Sequence, residues 1–133
     1  MIPLFIAILC MDPPDVAARE TVAVLAGALA ETNAEKFLAQ LSPELKAQIG
    51  DSIRALLLQN EVTSSIAPFA NDGDASKRVL QLDWYLEIRS KSNELALERR
   101  RQNVTCTVEM NAKKKWRVTA IDPVSLFDPP AVR

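Results

Sequence analysis

Residues 79–89 read VLQLDWYLEIR, in which apolar and mainly polar side chains alternate without interruption. Successive side chains of a β-strand point to opposite faces of a sheet, so this alternation places every second residue on one face. That apolar face carries Leu80, Leu82, Trp84, Leu86 and Ile88. The pattern predicts a strand with one buried face and one solvent face, and we expect Trp84 to be buried against helices.

Helices are predicted before this strand. Apolar residues recur at roughly helical spacing in residues 12–30, 34–41 and 45–57. Each stretch follows or begins with a residue that caps helices well, namely Asp12, Asn33 and Ser42. Gly50 lies inside the third stretch, and it predicts a break there between two short helices.

Further strands are predicted on both sides of residues 79–89. Residues 62–68 alternate, a long segment spans residues 95–110, and a last strand begins at Trp116 and ends at Asp122-Pro123. Residues 71–74, Asn-Asp-Gly-Asp, predict a turn. Helices followed by an antiparallel meander predict an α+β domain in which the helices cover one face of the sheet.

The element order resembles that of the nuclear transport factor 2-like, or SnoaL-like, cone-fold superfamily. The resemblance covers roughly residues 12–122 and rests also on the acidic-polar helix hairpin ETNAEKFL at 31–38 and the terminal strand KWRVTAI at 115–121. It implies N-terminal helices packed on a strongly curved antiparallel sheet, a cone-shaped α+β barrel with a cavity at its wide end. The superfamily contains isomerases, dehydratases and binding modules.

The composition limits the chemistry. The 133 residues fit one domain, and none of them is histidine, the commonest metal ligand. Two cysteines, Cys10 and Cys106, leave no usual zinc set, and three glycines argue against a phosphate loop. We therefore expect no metal and no cofactor. With 16 basic and 17 acidic residues, and lysines 113–115 on a turn without interleaved aromatics, we expect no nucleic acid partner.

Catalytic roles do not transfer from the resemblance. The steroid-isomerase-like members use a carboxylate base with a tyrosine and an acid, and the dehydratase-like members depend on histidine. This chain has one tyrosine, Tyr85, which the alternation places on the face opposite Trp84. We predict no catalytic residue.

An arginine run, Glu98-Arg99-Arg100-Arg101-Gln102, is the main polar candidate. Projecting the alternation back from Val104 places Arg100 and Glu98 on the inner face, whereas projecting it forward from Leu97 places Arg99 and Arg101 there. A β-bulge between Leu97 and Val104 would satisfy both. An inward arginine could bind a carboxylate or phosphate through two hydrogen bonds. The alternative is that all three arginines pair with outer-face acids, namely Asp83, Glu87 and Glu109.

Asp122 is the second polar candidate, because it is in phase with Trp116 on the inner face. It could pair with Arg100 or cap the turn before Pro123. The predicted ligand-binding set is therefore Arg100, Asp122, Trp84 and Glu98, for a small hydrophobic or anionic ligand.

Two functions remain open. One is a noncatalytic small-ligand-binding or protein-interaction module that forms a homodimer through its sheet face. The other is a small lyase or isomerase for an anionic or polyketide-like substrate, in which Arg100 holds the charge and Asp122 moves the proton. A cone interior filled by Trp84, Phe37 and Leu41 would favour the interaction module.

The two ends of the chain lie outside the predicted domain, residues 12–123. Residues 1–11, MIPLFIAILCM, form an apolar leader that is too short for a membrane span. It is either an export segment or part of a cytoplasmic protein, and the sequence leaves both localisations open. Residues 124–133 are predicted to form an irregular tail.

Overall fold

The computed structural model describes residues 13–93 and 95–130. The predicted leader, residues 1–11, and its Cys10 lie outside the described residues. The helices are α1 Pro14–Ala30, α2 Ala34–Leu38 and α3 Pro43–Gln59. The strands are β1 Asn60–Gly73, β2 Lys77–Ser90, β3 Leu97–Met110 and β4 Trp116–Asp122, followed by a 3-10 helix, Val124–Phe127.

The helices start where the sequence supplies hydrogen-bond acceptors or proline. The Asn33 side chain accepts a hydrogen bond from the Lys36 amide at 3.0 Å, and Ser42 Oγ accepts one from the Leu45 amide at 3.3 Å. Each cap satisfies an amide that has no partner within the helix. Proline opens both α1 and α3, where its missing amide hydrogen costs nothing.

The predicted break at Gly50 is wrong, because α3 continues through it. Gly50 is buried, and a Cβ atom there would lie 3.9 Å from Leu38 Cδ1 and 3.3 Å from Arg54 Nη1. The glycine therefore lies on the face that packs on α2, where a small residue is accommodated without ending the helix. The second helix is also shorter than predicted, since Leu41 forms a bridge with Val118 of β4.

The strands form one antiparallel sheet in the order β1-β2-β3-β4. The turn that the sequence predicts at residues 71–74 begins later in the chain. Strand β1 runs to Gly73, and Asp74 Oδ1 then accepts hydrogen bonds at 2.9 Å from the Ser76 and Lys77 amides. An Asp side chain that bonds the amides after it stabilises a tight turn, so the reversal begins at Asp74.

The core lies between the helices and the inner face of the sheet. Trp84 is completely buried, as predicted, and so are the other four apolar residues of its face. Its ring meets Phe127 edge to face with centroids 5.1 Å apart, and Phe127 meets Phe37 at 5.5 Å. These three rings join β2, α2 and the C-terminal 3-10 helix in one cluster.

The prediction of an irregular tail from residue 124 is wrong for Val124–Phe127. Leu126 and Phe127 are buried, with 2% and 1% of their surfaces exposed. Two large apolar side chains in four residues gain more by joining the core than by remaining in solvent. Leu126 and Phe127 therefore belong to the buried core, and Val124 packs against it.

The chain is an α+β domain with three helices packed on one face of a curved antiparallel sheet, as the sequence predicts. Among residues 13–93 and 95–130, no helix has the length and apolar character needed to cross a bilayer.

Candidate functional site

Large buried side chains pack between the helices and the inner face of β2, whereas Gln102, which pairs with Trp84 from β3, is exposed. Trp84 and Phe37 are 0% exposed, and Leu41 is 4% exposed. The indole Nε1 of Trp84 donates a hydrogen bond of 2.9 Å to Ser64 Oγ, so the polar atom of this buried ring is satisfied within the protein.

The arginine run lies in a regular strand. Strands β2 and β3 pair continuously from Lys77 opposite Glu109 to Arg89 opposite Leu97, so the predicted bulge between Leu97 and Val104 is absent from β3. A regular register sends the three arginines to alternate faces. Arg100 lies opposite the inward Leu86, and Arg99 and Arg101 lie on the outer face.

Arg100 fastens the C-terminal segment. Its Nη1 donates hydrogen bonds to the backbone carbonyls of Leu126 at 2.8 Å and Asp128 at 2.6 Å, and its Nε donates to Glu98 Oε2. The Arg100 side chain is only 15% exposed. The structure thus brings together the predicted Arg100 and Glu98, and their charge-assisted bonds hold the 3-10 helix over the core.

Asp122 does not lie with Arg100 and Glu98 on the inner face. Strand β4 has a register shift at Thr119, so that Val118 pairs with Val108 and Ala120 pairs with Thr107. One extra residue reverses the face of every residue after it. Ile121 is therefore buried, whereas Asp122 is exposed opposite Thr105. The prediction that Asp122 lies on the inner face is wrong.

The outer face of the sheet carries charged side chains of both signs, including the ion pair of Arg101 with Asp83. Arg101 binds Asp83 through a fork, with Nη2 to Oδ2 at 2.7 Å and Nε to Oδ1 at 3.1 Å. The Tyr85 hydroxyl donates to Glu87 Oε2 at 2.9 Å, and Glu87 lies opposite Arg99. The Arg101 guanidinium lowers the pKa of the Asp83 carboxyl, and burial together with Glu87 raises the pKa of the Tyr85 hydroxyl.

The same face has a shallow hollow beside these side chains. Its volume is about 360 Å³, and it is lined by Ser65, Ile66, Ala67, Asp83, Tyr85 and Arg101. Ser65 lies opposite Tyr85 and Ala67 lies opposite Asp83, so short side chains on β1 stand beside long ones on β2 and β3. This hollow was not predicted from the sequence, although the short outward side chains of residues 63, 65 and 67 could have indicated it.

Comparisons with known proteins bear on the fold. The sequence matches no family model and no curated protein. A conserved protein from Planctomyces limnophilus superposes with a TM-score of 0.71 at 8% identity, covering 80% of this chain and 91% of that one. A ketosteroid isomerase-like protein from Erwinia carotovora atroseptica gives 0.69 at 6% identity, covering 84% and 95%.

A third similar structure carries the name of the superfamily. It is a nuclear transport factor 2-like superfamily protein from Salmonella enterica, with a TM-score of 0.61 at 14% identity over 77% of this chain and 83% of that one. The similar structures thus include an isomerase-like protein as well as proteins without a stated activity. At these identities they show the fold, and this chain has the nuclear transport factor 2-like fold.

Proposed function

We propose that this protein is a noncatalytic interaction module whose outer sheet face binds a second copy of the chain. The observation that carries the proposal is the contrast between the two faces of the sheet. The inner face packs Trp84, Phe37 and Phe127 in one buried cluster, whereas the outer face carries charges of both signs, among them the Arg101–Asp83 ion pair and Glu87, which accepts from Tyr85.

The packing around Trp84 argues against chemistry inside the cone. A lyase or isomerase built on Arg100 and Asp122 would need both groups in one cavity, and Asp122 lies on the opposite face. Arg100 donates to two backbone carbonyls and to Glu98. A ligand role for Arg100, Glu98 and Trp84 would therefore require displacement of the C-terminal segment. We favour the interaction module, because binding through the outer face leaves the C-terminal segment in place.

The outer face suits pairing with its own copy. In a two-fold dimer the same patch meets itself, so each positive group needs a negative group on the same patch. Arg101 and Asp83 supply one positive and one negative group, and Arg99 and Glu87, opposite each other in the register of β3 and β2, supply one more of each sign. The fork between Arg101 and Asp83 also holds both side chains in fixed positions, which reduces the entropy lost on association.

The size of the face is adequate. Strands β1, β2 and β3 each have 14 residues, which gives a length of roughly 46 Å at about 3.3 Å per residue. Four strands about 4.8 Å apart give a width of roughly 14–19 Å. The product approaches the roughly 800 Å² per partner that is typical of stable complexes.

Sedimentation of charge variants tests the proposal. We expect the unmodified chain to form a dimer at chain concentrations between about 1 µM and 1 mM. Arg101→Glu should raise the dissociation constant of this dimer at least about tenfold, because like charges then meet across the interface. The double variant Asp83→Arg with Arg101→Glu restores the complementary pair and should restore association.

The matched control is Arg54→Glu. Arg54 also forms an exposed ion pair, with Glu35 at 3.1 Å, but it lies on α3. Its reversal should leave the dimer unchanged. A chain that remains monomeric over the whole concentration range, or an Arg101→Glu variant that associates like the unmodified chain, would contradict the proposal.

A further inference from the structure

The turn between β3 and β4 carries an unbalanced positive charge. Residues 111–117, which we call the lysine tip, form this turn and the start of β4 and read NAKKKWR. Lys113, Lys114 and Lys115 are exposed, and Arg117 Nη1 donates to the Trp116 carbonyl at 2.7 Å. None of these four cations forms an ion pair with a carboxylate of residues 13–93 or 95–130. Uncompensated like charges at one tip attract a surface of the opposite sign.

Hydrogen bonds to Asn111 hold the lysine tip in a fixed shape. Asn111 Oδ1 accepts from the Lys113 amide at 3.0 Å and from the Lys115 amide at 2.9 Å. The Lys114 amide donates to the Asn111 carbonyl at 2.9 Å, and the Asn111 amide donates to the Lys115 carbonyl at 2.9 Å. The backbone that carries the three lysines is therefore ordered before any partner binds, which reduces the entropy lost on binding.

Trp116 adds an aromatic ring with an unused polar atom. The residue packs against the core and is partly exposed. Trp84 Nε1 donates to Ser64, whereas the indole N–H of Trp116 has no hydrogen-bond partner in the part of the chain that the structure describes. Tryptophan rings are enriched where a membrane meets water, because one end of the side chain is apolar and the other can donate a hydrogen bond.

A shallow cleft of about 320 Å³ separates the lysine tip from α1. Of the described residues that line it, Lys114, Lys115 and Arg117 carry positive charge and Glu20 carries negative charge. Glu109 lies opposite Arg117 on β3 without forming an ion pair with it. The walls of the cleft are therefore positive, although the whole chain has a net charge of -1.

An almost wholly apolar stretch of the sequence precedes the helix that borders this cleft. Residues 1–11 read MIPLFIAILCM and lie outside the described residues. Pro13, the first described residue, accepts a hydrogen bond from the Ala17 amide at 2.9 Å, and Ala17 lines the cleft. One helical turn, about 5.4 Å, thus separates the start of the described chain from the cleft wall. An apolar segment joined beside a basic patch supplies the two signals that stable attachment to a membrane surface needs.

We infer that the lysine tip docks the domain on a lipid bilayer that contains anionic phospholipids. The lysines and Arg117 contact the charged headgroups, and the indole N–H of Trp116 donates to a lipid oxygen. Nucleic acid also offers phosphates, but proteins that bind it without sequence preference stack successive bases on several rings, and of the described lining residues Trp116 alone is aromatic. The inference is independent of the proposed dimer, whose charged residues lie on β2 and β3 outside the lysine tip.

Sedimentation of the full chain with lipid vesicles tests the inference. The two kinds of vesicle are pure phosphatidylcholine and an equimolar mixture of phosphatidylcholine with phosphatidylserine. Each basic residue near an anionic bilayer strengthens binding about fivefold, so replacing Lys113, Lys114 and Lys115 with glutamine should weaken binding to the mixed vesicles about 100-fold. Binding to pure phosphatidylcholine should not change, because that lipid has no net charge.

The matched control replaces Lys36, Arg54 and Lys91 with glutamine. These residues lie on α2, on α3 and after β2, and their replacement gives the same net charge as the lysine-tip variant. The control should keep its preference for the mixed vesicles, because the lysine tip is intact. All six positions are exposed, so far-UV circular dichroism should show an unchanged fold for both variants.

Quenching by brominated lipid shows which part of the domain touches the bilayer. The chain has two tryptophans, and Trp84 is completely buried whereas Trp116 is partly exposed. In mixed vesicles whose phosphatidylcholine carries bromine near the headgroup end of its acyl chains, the bound protein should lose part of its tryptophan emission. Binding without quenching would place another face on the bilayer and overturn the inference.

The vesicle results also separate the lysine tip from other causes of binding. No binding, or equal binding, of the unmodified chain to the two kinds of vesicle would overturn the inference, as would a lysine-tip variant that still prefers the mixed vesicles. If the three lysines instead govern binding to a single-stranded RNA oligonucleotide and not to the mixed vesicles, the tip binds nucleic acid and the inference is wrong. Arg101→Glu leaves the lysine tip intact, so it should dissociate the proposed dimer without removing the preference for mixed vesicles.

Discussion

Replacing Phe127 with alanine tests whether the C-terminal 3-10 helix belongs to the core. The ring is 1% exposed and lies between Trp84 and Phe37, with ring centroids 5.1 Å and 5.5 Å away. Arg100 holds the backbone on either side of it through the carbonyls of Leu126 and Asp128. The surroundings are therefore held in place and cannot easily collapse into the space that the ring leaves.

Truncation of a buried phenylalanine in such a setting costs about 3–5 kcal/mol of unfolding free energy. With an unfolding entropy of about 2.1 cal/mol/K per residue over this chain, the expected fall in melting temperature is about 11–18 °C. Chemical denaturation followed by tryptophan fluorescence measures the first quantity, and differential scanning calorimetry measures the second.

Leu58→Ala is the control for this experiment, because Leu58 is an apolar residue that is 74% exposed. Its replacement should change the unfolding free energy by less than about 0.5 kcal/mol. If Phe127→Ala costs less than about 1 kcal/mol, residues 124–127 do not seal the core, and the inner face can open to a ligand more readily than we argue.

Three further predictions concern single groups. Burial raises the pKa of the Cys106 thiol to about 12, so in a Cys10→Ser background a thiol reagent at pH 8 should label the unfolded protein and leave the native one unlabelled. Gly50→Ala should raise the unfolding free energy by about 0.5–1 kcal/mol in chemical denaturation, because alanine favours a helix more than glycine does and the guanidinium of Arg54 can move away from the new methyl group. A lower unfolding free energy would mean that the packing on α2 is too tight for the methyl group. NMR titration should find the pKa of the Asp83 carboxyl below 3.8 and higher in Arg101→Gln. Because folding lowers the pKa of Asp83, its pairing with Arg101 stabilises the fold at pH values above the ordinary pKa of an aspartate, and this stabilisation is lost as pH falls through the folded-state pKa. Equal pKa values of Asp83 in the unmodified protein and in Arg101→Gln would show that the fork does not form.

Local patterns in the sequence predict most of the fold. The alternation in residues 79–89 identifies β2 and its buried Trp84, because one face of that strand has no polar residue. Caps and prolines similarly place the starts of the helices. These features depend on neighbours in the chain, which are visible in the sequence.

The predictions fail where one extra residue shifts the inward–outward alternation of a strand, or where segments that are distant in the sequence come into contact. The register shift at Thr119 sends Asp122 to the outer face, and no residue type near it indicates a bulge. Arg100 is 26 residues from Leu126, whose carbonyl it binds, so its role in holding the tail depends on the assembled fold. For the same reason the hollow beside Tyr85 forms only when β1 lies next to β2.

Sedimentation equilibrium of the unmodified chain and of its Arg101→Glu variant tests the outer-face dimer most directly. We predict the mass of two chains for the unmodified protein and a shift toward one chain for the variant, with recovery when Asp83→Arg is added. A single-chain mass for the unmodified protein at every concentration, or a dimer that is indifferent to both charge changes, would contradict it.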